Sequence, residues 1–175
     1  EVRTGATDPS TARRVSGPSD MGWNNGKDRG LVNYSKRIIL IVRFTATDSI
    51  ASGVSRILFG RAGSDGNVDL DDKGFGFIID VLAIKGQTHN GSSVDEDDMA
   101  VTLVAGTTYT GVITSDGAGN IEYFLDGVSR ASSAGGPTGD SSGNHNMFNV
   151  HADNTGGGGG SQILVIHSLV IGVAQ

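Results

Sequence analysis

The chain has 175 residues, a net charge of -6 at pH 7 and no cysteine. The absence of cysteine excludes disulfides, thiolate metal sites and thiol nucleophiles. Glycine supplies 28 residues, more than twice its usual share of about 7%, which favours turn-rich β structure over long helices.

The charge is unevenly distributed along the chain. Residues 1–43 carry eight basic and four acidic residues, a net charge of +4, whereas the remainder carries five basic and fifteen acidic residues, a net charge of -10. Because phosphate contacts supply most nucleic-acid affinity, we expect no nucleic-acid binding by this acidic body. No apolar run reaches the roughly 18 to 20 residues of a membrane-spanning helix, so we expect no membrane insertion.

Residues 1–30 contain two of the three prolines and no sustained periodicity, which predicts an irregular basic arm. A basic arm beside an acidic body favours an intermolecular contact, and a solvated tail is the alternative. We predict that the arm leaves its own domain and binds copies of the chain or other particle proteins. The predicted partner-binding residues are Arg3, Arg13, Arg14, Trp23, Lys27 and Arg29.

The pattern changes after the arm. The segment SKRIILIVRFTAT places Ile38, Leu40, Val42 and Phe44 on one face, which predicts a strand with a buried face. Further alternating runs recur at intervals typical of an all-β domain. These runs are residues 55–62, 74–86, 99–117 with a break at Ala105-Gly106, 119–130, 146–153 and 161–174.

About ten short strands in one domain must pack as two sheets or close into a barrel. We predict that residues 31–175 form an all-β fold, a two-sheet antiparallel β-sandwich or jelly roll. In the stretch GNIEYFLDGVSR, Asp126 and Gly127 predict a tight hairpin turn. The predicted shared core contains Val42, Phe44, Phe77, Ile79, Tyr123 and Leu125.

Two segments resemble the concanavalin A-like lectin/glucanase superfamily, especially its laminin-G-like branch. The segment GTTYTGVITSDGAGNIEYFLDGV is similar to the central hairpin of that superfamily, with Tyr123 followed by the pair Asp126 and Gly127. The segment MFNVHADNTGGGGGSQILVIHSLVIG resembles its closing pair of strands, which a glycine-bearing loop joins. The resemblance implies a jelly roll over roughly residues 31–175 and, for the laminin-G-like branch, a tendency to bind calcium at the sandwich rim.

Acidic residues do not form the pattern of a glycosidase. A retaining enzyme needs two carboxylates about 5 to 5.5 Å apart across its cleft. The run VDEDDM contains Asp95 to Asp98, with Asp95 and Asp97 on one face and no aromatic subsite after them, and we interpret it as a solvated loop. Glu122 is the single acid on its strand. We therefore predict no catalytic residues and no hydrolytic activity.

Calcium is the one cofactor that the sequence suggests. In SDGNVDLDD, four oxygen-bearing residues alternate as the ligands of calcium loops do. The match to the helix-loop-helix motif is imperfect, since Leu70 replaces its glycine and Gly76 its bidentate glutamate, and the exposed side of a loop is the alternative. The predicted ligands are Asp65, Asn67, Asp69 and Asp71.

These features predict a noncatalytic structural or adhesion module of an extracellular or virion-surface assembly. The first alternative is a carbohydrate-binding lectin domain with a surface glycan as partner, because the loops are rich in Asp, Asn and Gly. Aromatic residues amount to only 6% of the chain, which disfavours a deep aromatic platform for sugars. The second, lower alternative is a glycan hydrolase or lyase.

Overall fold

The computed structural model describes residues 2–3, 10–16, 33–46, 54–62, 70–140, 148–154 and 163–173. Their strands are β1 (Val2–Arg3), β2 (Ser10–Ser16), β3 (Ile38–Ala46), β4 (Val54–Ala62), β5 (Leu70–Asp80), β6 (Ala83–His89), β7 (Val94–Thr102), β8 (Thr108–Ser115), β9 (Ile121–Leu125), β10 (Val128–Ser133), β11 (Phe148–Asn154) and β12 (Ile163–Val173). None of the described segments is a helix with the length and apolarity of a membrane span.

The strands form two antiparallel sheets of six strands each. Sheet A has the order β1-β12-β3-β8-β9-β10, and sheet B has the order β2-β11-β4-β5-β6-β7. The two-sheet antiparallel β-sandwich predicted from the sequence is therefore confirmed. Long-range pairing dominates, since β3 lies beside β12 and β8, and β11 lies between β2 and β4.

Two stretches of the predicted N-terminal arm are strands. β1 pairs with β12 at one edge of sheet A, and β2 pairs over its whole length with β11 at one edge of sheet B. The expectation of irregular backbone that leaves its own domain is therefore wrong for these two stretches. The amino-acid pattern does not indicate these strands, because an edge strand is held by backbone hydrogen bonds and needs no apolar periodicity of its own.

The run 74–86, expected to be one strand, is a hairpin. β5 ends at Asp80 and β6 begins at Ala83, and the turn residues Val81 and Leu82 have φ of 47° and 75°. Positive φ at both positions matches a two-residue hairpin turn, for which Asn and Gly are the usual residues. Val and Leu do not signal such a turn, so the alternating pattern of residues 74–86 shows no break at this position.

The acidic run is an edge strand rather than a loop. Asp95 to Asp98 lie in β7, which pairs with β6 and is the last strand of sheet B among the described residues. Charged side chains on an edge strand are a common protection against further strand pairing. Because four consecutive residues here are acidic, the apolar–polar alternation that indicates a strand is absent from the sequence. A register shift after Ile84 accompanies the positive φ of Ala100, 53°.

The β9–β10 hairpin predicted from GNIEYFLDGVSR is confirmed. Asp126 and Gly127 form its turn, with φ of 49° and 79°. The Asp126 carboxylate accepts a hydrogen bond of 2.8 Å from the Thr110 backbone N–H, and the Asp126 N–H donates to the Thr110 carbonyl. The turn is thereby tied to β8 instead of only to its own backbone.

The core lies between the sheets, and all six residues predicted for it are buried there. Phe77 of sheet B packs between Phe44 and Tyr123 of sheet A, with ring centroids 6.5 and 5.9 Å apart. Glycines make room for these rings: a Cβ added at Gly111 would lie 2.7 Å from Phe77, and one added at Gly86 would overlap the Tyr123 ring.

Phe77→Ala tests the assignment of the core. Removing a fully buried aromatic ring between two others should lower the free energy of unfolding by about 3 to 5 kcal/mol. Phe124→Ala is the matched control, because Phe124 is only half-buried on the opposite side of β9. Urea denaturation measures both variants, and a loss below about 1 kcal/mol for Phe77→Ala would contradict the packing.

Candidate functional site

The outer face of sheet B brings polar side chains from three strands together. Strand pairing aligns Arg56, Ile78 and Lys85 in one row, and Gly76, Gln87 and Glu96 in the next row. These positions alternate with the inward residues of the same strands, such as Phe77, so they point away from the core. Neighbouring strands lie about 4.8 Å apart, which places both rows within the span of a short oligosaccharide.

Three side chains of this face form a fixed hydrogen-bonded group. Lys85 Nζ lies 3.1 Å from Glu96 Oε2, and Gln87 Nε2 donates to Glu96 Oε1 at 3.5 Å. The hydrogen bond and the charge of Glu96 raise the pKa of Lys85. Lys85 therefore keeps its positive charge at neutral pH, and Glu96 is held between a cation and an amide.

Gln87 and His89 lie on the same strand and are far more buried than usual for an outer face. Their exposed fractions are 0% and 8%. His89 Nδ1 accepts a hydrogen bond of 2.9 Å from the Gly91 backbone N–H. When the ring is neutral its proton is therefore on Nε2, which makes Nε2 a donor.

A small apolar cluster lies on the same outer face as these polar groups. Leu58 and Leu70 are both buried and form a small cluster separate from the main core. Glycines of the outer face receive them: a Cβ added at Gly74 would lie 2.8 Å from Leu70 Cδ2, and one at Gly76 would lie 2.7 Å from Leu58 Cδ2. Apolar surface surrounded by a few convergent polar groups is typical of small-ligand and sugar sites.

The predicted calcium and partner residues fall largely outside the described part of the chain. Asp65, Asn67 and Asp69 lie outside it, and Asp71 is described only as a backbone position of β5. Within the described ranges no group of three or more His, Cys, Asp or Glu could hold a metal ion. The calcium assignment stays a prediction.

The proposed partner-binding residues divide into two groups. Arg3 is in β1, and Arg13 and Arg14 are in β2, where their backbones pair with sandwich strands. The others lie outside the described residues; they are Trp23, Lys27 and Arg29. Partner binding by the six residues stays a prediction.

Glu122, the single acid of its strand, lies on the outer face of sheet A. Its Oε1 accepts a hydrogen bond of 2.8 Å from Ser129 Oγ. It borders a pocket of about 330 Å³ whose other acid is Asp116. Asp116 is engaged by its own turn, since its carboxylate accepts hydrogen bonds from the Ala118 and Asn120 N–H groups and from the Asn120 amide, which lower its pKa. This pocket therefore lacks a free pair of facing acids.

Asp97 points between the sheets, which the sequence did not indicate. Burial and the nearby charge of Asp95 raise its pKa, and a hydrogen bond with Ser133 partly offsets this. Asp97 Oδ2 and the Tyr123 hydroxyl are both buried without a hydrogen-bond partner in the described part of the chain. A run of acids gives no hint that one member is inward, because the register shift that sets the faces is invisible in sequence.

Comparison with known proteins gives structural matches alone. No family model matches the chain, and no curated protein matches its sequence. The structure is similar to the carbohydrate recognition domain of Emp47p, with 11% identity, a TM-score of 0.60 and coverage of 97% of this chain and 81% of that one. It is also similar to an endo-β-1,4-glucuronan lyase from the fungus Trichoderma reesei, with 12% identity, a TM-score of 0.58 and coverage of 99% and 79%.

A third similar structure is the carbohydrate-binding module CBM66 from Bacillus subtilis, with 10% identity, a TM-score of 0.52 and coverage of 97% and 84%. At such identities the likeness shows the fold alone. The chain thus has the jelly-roll sandwich fold that these structures share. The resemblance stated from the sequence is confirmed at the level of the fold, and the laminin-G-like branch stays a prediction.

Asp97→Asn should make stability less dependent on pH. The raised pKa of Asp97 means that the folded state disfavours its charged carboxylate. Below the unfolded pKa of about 3.9 the group is protonated in both states and does not lower the free energy of unfolding. As pH rises through the folded pKa, the carboxylate becomes charged and the free energy of unfolding falls. In chelator, the variant should therefore be more stable than the parent at pH 7 and equal to it near pH 3. Asp98→Asn, on the exposed side of β7, is the control. A parent that exceeds Asp97→Asn in thermal stability at pH 7 would contradict the assignment.

Proposed function

We propose that the chain is a noncatalytic glycan-recognition module that binds sugar on the outer face of sheet B. The observation that carries the proposal is that Arg56 of β4, Lys85 of β6 and Glu96 of β7 present polar side chains on one face of sheet B, with β5 between β4 and β6. Sugars are bound by several directed hydrogen bonds from groups that are already fixed. Lys85 and Glu96 meet this requirement, and the buried Gln87 orients Glu96 by a hydrogen bond.

In strand register, the row that contains Arg56 continues toward β2. Arg13 of β2 pairs with His151 of β11, and His151 pairs with Arg56 of β4. Basic residues therefore occupy paired positions on three neighbouring strands, although the chain has a net charge of -6. Arginine has five N–H donors, so Arg56 can keep protein partners and still bind a hydroxyl or carboxylate of a sugar.

The structural relatives support a sugar ligand rather than another class. Emp47p contributes a carbohydrate recognition domain and Bacillus subtilis a carbohydrate-binding module, both with the same fold over most of their length. We further propose the role predicted from the sequence, in which the module acts in adhesion or assembly at an extracellular or virion surface. We also propose that it belongs to the laminin-G-like branch. This wider role rests on the glycan site and on the basic N-terminal residues.

Glycan lyase activity is the second candidate, because a glucuronan lyase shares the fold and the same face carries His89, Gln87 and Lys85. Elimination needs a base that removes the proton next to the uronate carboxyl group. The protonated Nε2 of neutral His89 and the raised pKa of Lys85 both disfavour that role. Polysaccharide turnover with an ultraviolet-absorbing unsaturated product would establish the lyase and overturn the noncatalytic proposal.

A glycan array followed by calorimetry tests the glycan proposal. For a glycan that binds, Arg56→Gln and Lys85→Gln should each weaken affinity about ten-fold or more, because each removes charge-assisted hydrogen bonds. Arg43→Gln is the matched control, since Arg43 is exposed on the opposite outer face, and it should leave the affinity unchanged. An array without any bound glycan, or equal losses in all three variants, would contradict the proposal.

A further inference from the structure

The side of the sandwich formed by β7 and β10 encloses a group of oxygen atoms. β7 and β10 are the end strands of sheets B and A. On β6 and β7, Thr88 pairs with Asp95, and Gly86 pairs with Asp97. Thr88 Oγ1 lies 3.4 Å from Ser133 Oγ of β10, so the two sheets meet here through hydroxyl groups.

Two oxygens of this group are buried without a partner. The Tyr123 hydroxyl belongs to a side chain that is 0% exposed, and it forms no hydrogen bond with the described residues. Asp97 Oδ2 is likewise buried and forms no hydrogen bond with the described residues. The two groups lie close together because the Tyr123 ring packs against Gly86, and Gly86 pairs with Asp97 on β7. Buried polar atoms normally have a partner, whether protein, water or ion.

The two carboxylates also lack a balancing charge. Asp95 and Asp97 are two residues apart on β7 and lie on the same face, so their negative charges repel each other. Neither forms an ion pair with a described basic residue. A bridging water would give Asp97 Oδ2 and the Tyr123 hydroxyl hydrogen bonds, but it would leave this repulsion in place. A cation relieves both defects.

We propose that Asp95, Asp97, Ser133, Thr88 and the Tyr123 hydroxyl form a calcium site between the two sheets. All five groups offer oxygen, which selects a hard cation. Calcium accepts irregular oxygen geometry and completes its shell with water, whereas magnesium demands a near-ideal octahedron. With two carboxylates and an exposed Asp95, the affinity falls in the range of about 10⁻⁴ to 10⁻³ M of weak extracellular sites.

This site shares no residue with the proposed glycan site, but strand β7 contributes residues to both. Asp95 and Asp97 point inward from β7, and Glu96 between them points outward to Lys85 and Gln87. Bound calcium would hold the strand that positions Glu96. The site also differs from the loop ligands predicted from the sequence, Asp65, Asn67 and Asp69.

Thermal melting and calorimetry in EDTA, in 10 mM calcium and in 10 mM magnesium test the site, concentrations chosen to exceed the Kd range of about 10⁻⁴ to 10⁻³ M. Calcium should raise the Tm of the parent chain by several degrees, and magnesium should raise it much less. Asp97→Asn should abolish the calcium response, and Tyr123→Phe should weaken calcium affinity. Asp98→Asn should respond like the parent, because Asp98 lies on the exposed side of the same strand.

Three results would overturn the site. The first is a parent chain whose Tm does not respond to calcium, and the second is an Asp97→Asn variant with the full response. The third is a response that is lost in Asp69→Asn but kept in Asp97→Asn, which would assign the calcium site to the loop that contains Asp69. Circular dichroism verifies the fold of each variant. If Asp97→Asn does not fold, Asp95→Asn replaces it, because Asp95 is exposed and its loss should likewise remove the calcium response.

Discussion

The fold depends on a reciprocal fit of aromatic rings and glycines between the sheets. Phe77 of sheet B lies against Gly111 of sheet A, and Tyr123 of sheet A lies against Gly86 of sheet B. Each ring enters space that any side chain at the opposing glycine would fill. Because the two rings also contact each other, this fit fixes both the separation of the sheets and their relative register.

Both proposed sites follow from that register. Gly86 has no side chain, so the Tyr123 ring packs directly on β6. Gly86 pairs with Asp97 of β7, and the Tyr123 hydroxyl and the Asp97 carboxylate are therefore buried close to each other. The same strands, one residue along, point Lys85, Gln87 and Glu96 to the opposite side. A glycan on the outer face and a cation on the inner side therefore share β6 and β7 without sharing ligands.

Periodicity predicted the strands whose apolar residues face the core, such as β3, β9 and β12, because burial imposes the period of two. It failed at β2 and β7, which are edge strands held by backbone pairing, and at Val81-Leu82, where the turn lacks turn-forming residues. The site was missed for a related reason. Gln87 and Glu96 are ordinary in type and lie nine residues apart on consecutive strands, and only the strand register, with its shift beside Ile84, makes them neighbours.

The central claim is that the outer face of sheet B recognises a glycan. The most direct measurement is an NMR titration of the isotopically labelled chain with a glycan that binds, which follows every backbone amide at once. If the outer face of sheet B binds the glycan, the largest shifts should occur in β4, β6 and β7, around Arg56, Lys85 and Glu96. Shifts concentrated on sheet A around Glu122, with sheet B unchanged, would contradict it.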